Sequence, residues 1–277
     1  MGATPRDRFA ALAQKPGTEL PLAEGALLIA AEEYPALDVH RYLGVLDRLA
    51  DEARERVPAG ADPAPAIAAL CNFLCVEAGF RGNTQHYGDP NNSFLNEVLD
   101  RRVGIPISLA LVHLEVGWRL RLPLYGVGMP GHFLVGCETR GEPLFVDAFN
   151  GTVLTESGCG QLFHQLTQGT APFQKDYLAP TPARYILVRM LRNLEGIFLE
   201  DEDLERTAAA IERILLLAPD SAGDVRDLGL IRFRQGNLPE ARALLERYLR
   251  SVPRDAGDRA AIELSLGQVR ELLTRLN

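Results

Sequence analysis

Residues 132–150, with the sequence HFLVGCETRGEPLFVDAFN, decide the fold of this chain. Two short runs rich in Val, Phe and Leu flank the polar residues TRGE, a pattern typical of a β-hairpin. Placing the turn on TRGE puts Leu134 opposite Asp147. His132 then shares a face with Leu134 and lies diagonally across from Asp147, within reach of its side chain. The sequence therefore predicts a pair formed by His132 and Asp147.

A carboxylate beside an imidazole fixes the tautomer of the ring and raises its basicity, as in nucleophile triads. Cys137 lies an odd number of positions from His132, so it points to the other face of the strand and is a poor candidate nucleophile. Cys159 lies in a glycine-flanked segment that we expect to be a loop, and its role stays open. A purely structural pair that anchors a loop is the other interpretation of His132 and Asp147.

The chain before the hairpin is predicted to be mostly helical, because apolar residues recur at helical spacing. A polar, glycine-rich loop is expected at residues 79–92, GFRGNTQHYGDPNN. Ser93 is predicted to cap a short helix, FLNEVLDRR. Pro106 suits the first turn of a central, mostly buried helix, ISLALVHLEVGWRL. Helices followed by short strands indicate an α+β domain.

The last third of the chain is predicted to be all-α. Residues 166–183 are proline-rich and lack periodicity, so we expect a linker there between a first domain, 1–165, and a helical domain, 184–277. A shift of 34 residues aligns the last third with itself, a period typical of tetratricopeptide repeats. The aligned pairs are Asn193 with Asp227, Leu194 with Leu228, Ile197 with Ile231, Arg213 with Arg247, and Pro219 with Pro253. Such repeats bind peptides or helices, although packing against the first domain as a strut is an equal alternative.

Composition excludes several classes of function. A net charge of -8 and a pI near 5.3 argue against non-specific nucleic-acid binding, which needs clustered Lys and Arg. No segment has the length of an apolar membrane span, so we expect a cytoplasmic protein without a membrane partner. Cys71 and Cys75, one helical turn apart, are expected to be small apolar residues on a buried helix face. Neither a metal site nor a cofactor is predicted.

These segments together resemble the bacterial SirB family, named as invasion regulators, which joins a transglutaminase-like domain to tetratricopeptide repeats. The likeness covers about residues 40–265 and rests on NNSFLNEVLDRRVGIPISLAL, GVGMPGHFLVGC, FVDAFNG and RMLRNLEGIF. The resemblance implies an α+β domain of the papain-like cysteine-protease superfamily, followed by an all-α tetratricopeptide-type repeat.

The resemblance also implies where a catalytic site would lie. Such domains place a cysteine at the start of the central helix, where the helix dipole and an imidazolium stabilise the thiolate. His132 and Asp147 match the histidine and aspartate on the following strands, but Pro106 takes the cysteine position. Proline cannot attack a carbonyl carbon, so thiol chemistry there is excluded. Ser108, two residues on, is a weak substitute because it points about 200° away around the helix.

We therefore expect a non-catalytic transglutaminase-like fold that acts as a regulatory or scaffold factor by binding a protein or peptide. The expected groove contains His132, Asp147 and further candidates, namely His86, Tyr87, Asn92, Ser93, Pro106 and Asn150. The alternative is an amide or isopeptide hydrolase or transferase with His132 as base and Ser108, Cys159 or water as nucleophile. A metal-dependent hydrolase using His132, Asp147 and either His86 or Asp89 is a third hypothesis, to which the spacing gives no particular support.

Overall fold

The computed structural model describes residues 3–17, 19–58 and 62–276. The chain divides into two compact units, Met1–Met190 and Leu191–Asn277, called here the first unit and the repeat unit. The helices within the first unit are α1 (Pro5–Ala13), α2 (Leu22–Ala30), α3 (Val39–Arg54), α4 (Ala64–Asn72), α5 (Leu95–Arg101), α6 (Pro106–Arg119) and α7 (Glu156–Leu166). Its strands are β1 (Arg81–Gly82), β2 (Val103–Gly104), β3 (Leu124–Val127), β4 (Leu134–Cys137), β5 (Leu144–Asp147), β6 (Thr152–Leu154) and β7 (Pro180–Thr181).

Five of these strands form an antiparallel sheet in the order β6-β5-β4-β3-β7. In the hairpin of β4 and β5, Val135 pairs with Val146 and Cys137 with Leu144. Extending this register by one residue puts Leu134 opposite Asp147, so the predicted register is confirmed. Strands β1 and β2 form a separate parallel pair, in which Gly82 faces Gly104.

Helix α6 is the core element of the first unit. Its residues from Pro106 to Gly117 are all buried, and it packs against α3 and against strands β3 and β4. Pro106 occupies the first helical turn, where its missing N–H costs no hydrogen bond. The predicted central, buried helix is therefore confirmed.

Two local predictions are wrong. Helix α5 begins at Leu95 with Phe94 at its N-cap and no side-chain capping bond, whereas Ser93 closes a 3₁₀ turn, Pro90–Asn92. Cys159 lies in helix α7 rather than in a loop. The Thr155 hydroxyl caps α7 by accepting a hydrogen bond from the Gly158 N–H at 3.3 Å, so a side-chain cap overrides the helix-breaking tendency of the glycines.

The segment expected to be a linker, residues 166–183, has structure of its own. It contains a 3₁₀ turn, Lys175–Leu178, and strand β7, which pairs Thr181 with Gly126 of β3. Proline is tolerated in β7 because this strand lies at the edge of the sheet. The chain divides only after residue 190, within helix α8 (Ala183–Glu200).

The repeat unit contains the end of α8 and helices α9 (Leu204–Leu217), α10 (Ala222–Arg234), α11 (Leu238–Ser251) and α12 (Arg259–Leu276). Helices α10 and α11 form the second helix pair that the 34-residue period predicts. Gly229 allows them to approach closely, because a Cβ there would lie 2.8 Å from Leu245 Cδ2. Ala241 and Leu245 are fully buried in the core that α10, α11 and α12 share.

None of the helices in the described ranges has both the length and the apolar character that crossing a membrane requires.

Candidate functional site

The predicted pair is present at the end of the hairpin. His132 Nε2 lies 2.9 Å from Asp147 Oδ1, and the two side chains are only 6% and 2% exposed. Asp147 also accepts hydrogen bonds from the Phe149 N–H at 3.1 Å, from the Asn150 N–H at 3.2 Å and from Asn150 Nδ2 at 2.7 Å. Burial works to raise the pKa of Asp147, but the hydrogen bonds from His132 and Asn150 outweigh it and hold that pKa below its ordinary value.

These contacts define which nitrogen of the His132 ring donates to the carboxylate. Because Asp147 is a carboxylate at neutral pH and can only accept hydrogen bonds, His132 must donate from Nε2–H. The other ring nitrogen, Nδ1, is the one that a general base would use, and it points away from the carboxylate contact. The arrangement therefore retains the geometry of a histidine oriented by a carboxylate.

Aromatic rings connect this pair to the surface. The ring of Phe149 meets the His132 ring edge to face at a centroid distance of 6.2 Å, and the Tyr87 ring meets Phe149 at 6.1 Å. Tyr87 is 54% exposed, whereas Phe149 is half-buried. The Arg189 guanidinium donates to the backbone carbonyl oxygen of His132 at 2.7 Å, which fixes the strand end that carries the ring. Tyr87 thus forms the exposed end of a row of rings that begins at His132.

Asn92 holds the loop that carries His86 and Tyr87. It is fully buried, and its Nδ2 donates to the carbonyl oxygens of His86 at 2.7 Å and Tyr87 at 3.3 Å. Asn92 Oδ1 accepts from Asn83 Nδ2 at 3.0 Å. Asn92 therefore supports the loop from beneath, while the side chains of His86 and Tyr87 are exposed.

The start of α6 carries the residues expected at the nucleophile position. Pro106 is buried, and Ser108 is fully buried with its hydroxyl donating to the Asn92 carbonyl oxygen at 2.6 Å. Ser108 Oγ also accepts from the Ile105 N–H at 3.1 Å. A hydroxyl has only one proton to donate, and Ser108 uses it in the hydrogen bond that joins the start of α6 to the loop at Asn92.

Gly82 connects this helix start to the His132–Asp147 pair. It faces Gly104, just before α6, and its N–H donates to the Phe149 carbonyl oxygen at 3.2 Å. A Cβ at position 82 would lie 2.5 Å from Phe149 Cε2. Only the absence of a side chain there allows the Phe149 ring to lie against β1.

Three further residues considered in the sequence analysis, Asn150, Asp89 and Ser93, differ in their hydrogen bonds. Asn150 is an exposed residue whose side-chain amide donates a hydrogen bond to Asp147. Asp89 accepts from Arg101 at 3.0 Å and from the Asn91 N–H at 3.0 Å. The Ser93 hydroxyl is buried and has no hydrogen-bond partner among the described residues.

Cys159 is fully buried in α7 and packs in a cluster with Val127, Phe145 and Phe163. Burial raises its pKa to about 12, and burial likewise raises the pKa of Cys137 to about 11. The thiolate is the form of cysteine that attacks a substrate, and both thiols are buried with raised pKa values, so neither is suited to be a nucleophile.

A second cluster of reactive groups was missed by the sequence analysis. Cys71, Cys75 and His113 bring two sulfur atoms and a ring nitrogen within 4.8 Å of one another, and Cys75 Sγ lies 3.6 Å from His113 Nε2. Among the residues that the structure describes, this is the one group of three close potential metal ligands. The third hypothesis of the sequence analysis expected a metal at His132, Asp147 and either His86 or Asp89, and none of these residues belongs to the group. A hydrogen bond with Cys75 lowers the pKa of Cys71, and the same contact, with burial, raises the pKa of Cys75.

The helical spacing of Cys71 and Cys75 was visible in the sequence, but the third member was not. His113 lies 38 residues after Cys75, inside an otherwise apolar stretch of α6. The packing against α6 of α4, which carries Cys71, and of the turn after α4, which carries Cys75, brings the three side chains together.

Comparison with known proteins defines the class. The family model of the transglutaminase-like superfamily matches residues 40–192, and a tetratricopeptide repeat model matches residues 194–267. The fold is thus a transglutaminase-like α+β domain followed by tetratricopeptide-type helical repeats, as the sequence analysis predicts.

The relatives narrow this class. The chain is 38% identical over 238 residues to a UPF0162 protein of Xylella fastidiosa, covering 84% of this chain and 85% of that protein. It is 32% identical to a UPF0162 protein of Pseudomonas aeruginosa, covering 86% and 84%. A match at 30% identity to F-box only protein 21 of Mus musculus covers 62% of this chain and 28% of that protein. The chain therefore belongs to the UPF0162 family of transglutaminase-like proteins.

No solved structure matches the chain significantly. The resemblance to the SirB family by name, and the cytoplasmic location, stay predictions.

Proposed function

We propose that this protein is a non-catalytic, transglutaminase-like scaffold or regulatory factor that binds a protein or peptide partner. The observation that carries the proposal is the start of α6, where proline stands at position 106, to which the family resemblance assigns the nucleophile, and the Ser108 hydroxyl is bonded to the Asn92 carbonyl oxygen. A fold that keeps a histidine and an aspartate but has proline at the expected position of the nucleophile is suited to binding rather than to acyl transfer.

The burial of the His132–Asp147 pair supports a structural role for it. The pair joins β4 to the turn after β5, and Asp147 fixes the backbone of Phe149 and Asn150. In this function the pair holds Phe149 in place, and Phe149 supports the exposed Tyr87.

Tyr87 gives the first unit a contact surface of suitable chemistry. It is a large, half-exposed aromatic side chain on a loop whose backbone Asn92 fixes. Tyrosine is enriched among the residues that dominate binding energy, because it offers a large contact area at low entropic cost. The tetratricopeptide-type repeat supplies a second surface, since such repeats bind extended peptides or helices.

Site-specific cross-linking tests this function. A photo-reactive amino acid is placed at position 87 of the full chain, in cells of the source organism, and the control places it at Val76, which is 71% exposed. We expect a discrete covalent adduct with one protein from position 87 and none from position 76. Absence of an adduct from position 87 and from exposed repeat positions would contradict the proposal.

The alternative is an amide or isopeptide hydrolase or transferase, which the intact orientation of His132 by Asp147 favours. It is tested by incubating the protein with a glutamine-containing peptide and a primary amine, and separately with an isopeptide-linked peptide. Our proposal predicts no turnover. Turnover that is lost in His132→Ala but kept in His40→Ala, a change at an exposed histidine of α3, would establish the enzyme instead.

A further inference from the structure

We propose that Cys71, Cys75 and His113 bind one zinc ion. Two thiols and one imidazole are a ligand set that Zn²⁺ takes in proteins, and three protein ligands leave a fourth position for water. This site shares no residue with the His132–Asp147 pair, although Asp147 lies close enough to act electrostatically on both thiols. The proposal does not rest on the proposed binding function.

The distances fit a shared metal ion. With Zn–S near 2.3 Å and Zn–N near 2.0 Å, a tetrahedral site separates sulfur from nitrogen by about 3.5 Å. Cys75 Sγ lies 3.6 Å from His113 Nε2, and the three ligand atoms are all within 4.8 Å of one another. Small side-chain rotations therefore suffice to bring all three onto one ion.

The imidazole is already in the tautomer that a metal requires. His113 Nδ1 lies 3.0 Å from the Leu109 carbonyl oxygen, which can only accept, so Nδ1 carries the proton. Nε2 is then the ring nitrogen left to face Cys75. A backbone carbonyl on the other ring nitrogen is the usual way in which proteins orient a metal-binding histidine.

The backbone has an unusual conformation next to the proposed zinc ligands. Cys75 lies in a single π-turn, Phe73–Glu77, that directly follows α4, and such π-turns are frequent at functional sites. Gly151, with φ of +66°, lies against it, since a Cβ there would be 3.2 Å from Cys75 Cβ. Cys71 and His113 are 3% and 1% exposed while Cys75 is half-buried, so an ion reaches the site from the side of Cys75.

Cobalt titration tests the site, because Co²⁺ takes the place of Zn²⁺ and its thiolate complexes absorb light. Full-length protein is stripped with a chelator, kept reduced, and titrated with Co²⁺ alone. We expect a thiolate-to-cobalt charge-transfer band that saturates at one equivalent and disappears when Zn²⁺ is added. The band should be lost in Cys75→Ser and His113→Gln and retained in Cys137→Ser, a buried thiol elsewhere in the first unit.

A measurement on the unsubstituted protein guards against misfolded variants. Zn²⁺ should protect Cys71 and Cys75 from alkylation, as read by mass spectrometry of the peptides, and leave the labelling of Cys137 and Cys159 unchanged. Failure of the native protein to give the cobalt band, persistence of the band in folded Cys75→Ser, or no zinc-dependent protection would overturn the proposal. None of these results bears on cross-linking at Tyr87.

Discussion

The carboxylate of Asp147 accepts hydrogen bonds from the His132 ring, from two backbone N–H groups and from the Asn150 amide. We expect Asp147→Asn to lower the free energy of unfolding by about 1–3 kcal/mol at neutral pH, because it removes the charge that these donors stabilise. The measurement is urea unfolding followed by circular dichroism.

The pH dependence of this loss follows from the pKa of Asp147. Because the folded-state pKa lies below the ordinary value, the carboxylate stabilises the fold above the ordinary pKa, and this contribution is lost as the pH falls through the folded-state pKa. The difference between the two proteins should therefore shrink in acid. Asp176→Asn, at an exposed carboxylate of the first unit, is the control and should have little effect. An equal loss at neutral and acidic pH would contradict the role assigned to the charge.

Gly82 and Gly88 offer a matched pair in one loop region. A Cβ at position 82 meets the Phe149 ring at 2.5 Å, whereas a Cβ at position 88 meets no atom within 4 Å. Gly82→Ala should cost about 1–3 kcal/mol of stability through overpacking, and Gly88→Ala should be close to neutral. Thermal unfolding of both variants checks this, and equal melting temperatures would show that Phe149 moves away freely.

The four cysteines should differ in reactivity. Cys75 is half-buried, and its hydrogen bond lowers the pKa of the neighbouring Cys71, whereas Cys137 and Cys159 are fully buried, with pKa values raised by burial to about 11 and 12. Brief alkylation of the native, metal-free protein near neutral pH should label the Cys71–Cys75 pair well before Cys137 or Cys159. Peptide mass spectrometry gives the order, and early labelling of Cys159 would restore it as a candidate nucleophile.

At the scale of elements, the sequence predicts what local patterns determine. The register of β4 and β5 follows from the length of the TRGE turn, and the burial of α6 follows from its nearly continuous apolar sequence. The same register brings His132 to Asp147. This half of the candidate site therefore follows from the amino-acid sequence alone.

Pairings between distant segments were not predictable in this way. Strand β7 has two residues and pairs with β3 across more than fifty positions, so its proline-rich surroundings suggest only a linker. Helix α7 depends on the Thr155 cap rather than on its glycine-containing sequence. The approach of His113 to Cys75 depends on packing between two helices, which periodicity does not reveal.

Within the repeat unit, the fully buried side chain of Leu245 on α11 packs directly against Gly229 of α10. Leu245→Ala should lower the free energy of unfolding by about 2–5 kcal/mol, because it leaves a cavity in a well-packed core. Leu264→Ala, on α12 and 68% exposed, removes the same atoms from the surface and should change stability by less than about 0.5 kcal/mol. Urea unfolding of both variants makes the comparison, and similar losses would contradict the core assignment.

For the whole molecule, the division into two compact units has an energetic consequence. The repeat unit buries its own cluster around Leu245, and the sheet of the first unit buries a separate cluster around Leu134 and Phe145. Elements with separate cores open in separate cooperative steps. In Leu245→Ala we therefore expect amide hydrogen exchange to accelerate in α10, α11 and α12 and to stay unchanged in β4 and β5.

Exchange followed by mass spectrometry resolves these segments, and Gly82→Ala supplies the converse experiment, with faster exchange in β1 and β5 and unchanged exchange in α11. If both substitutions accelerate exchange in both units equally, the chain unfolds as one cooperative body, and the repeat stabilises the transglutaminase-like domain. If the effects stay separate, each unit keeps its fold without the other. The two proposed contact surfaces can then be altered one at a time, which is the condition for assigning a partner to either.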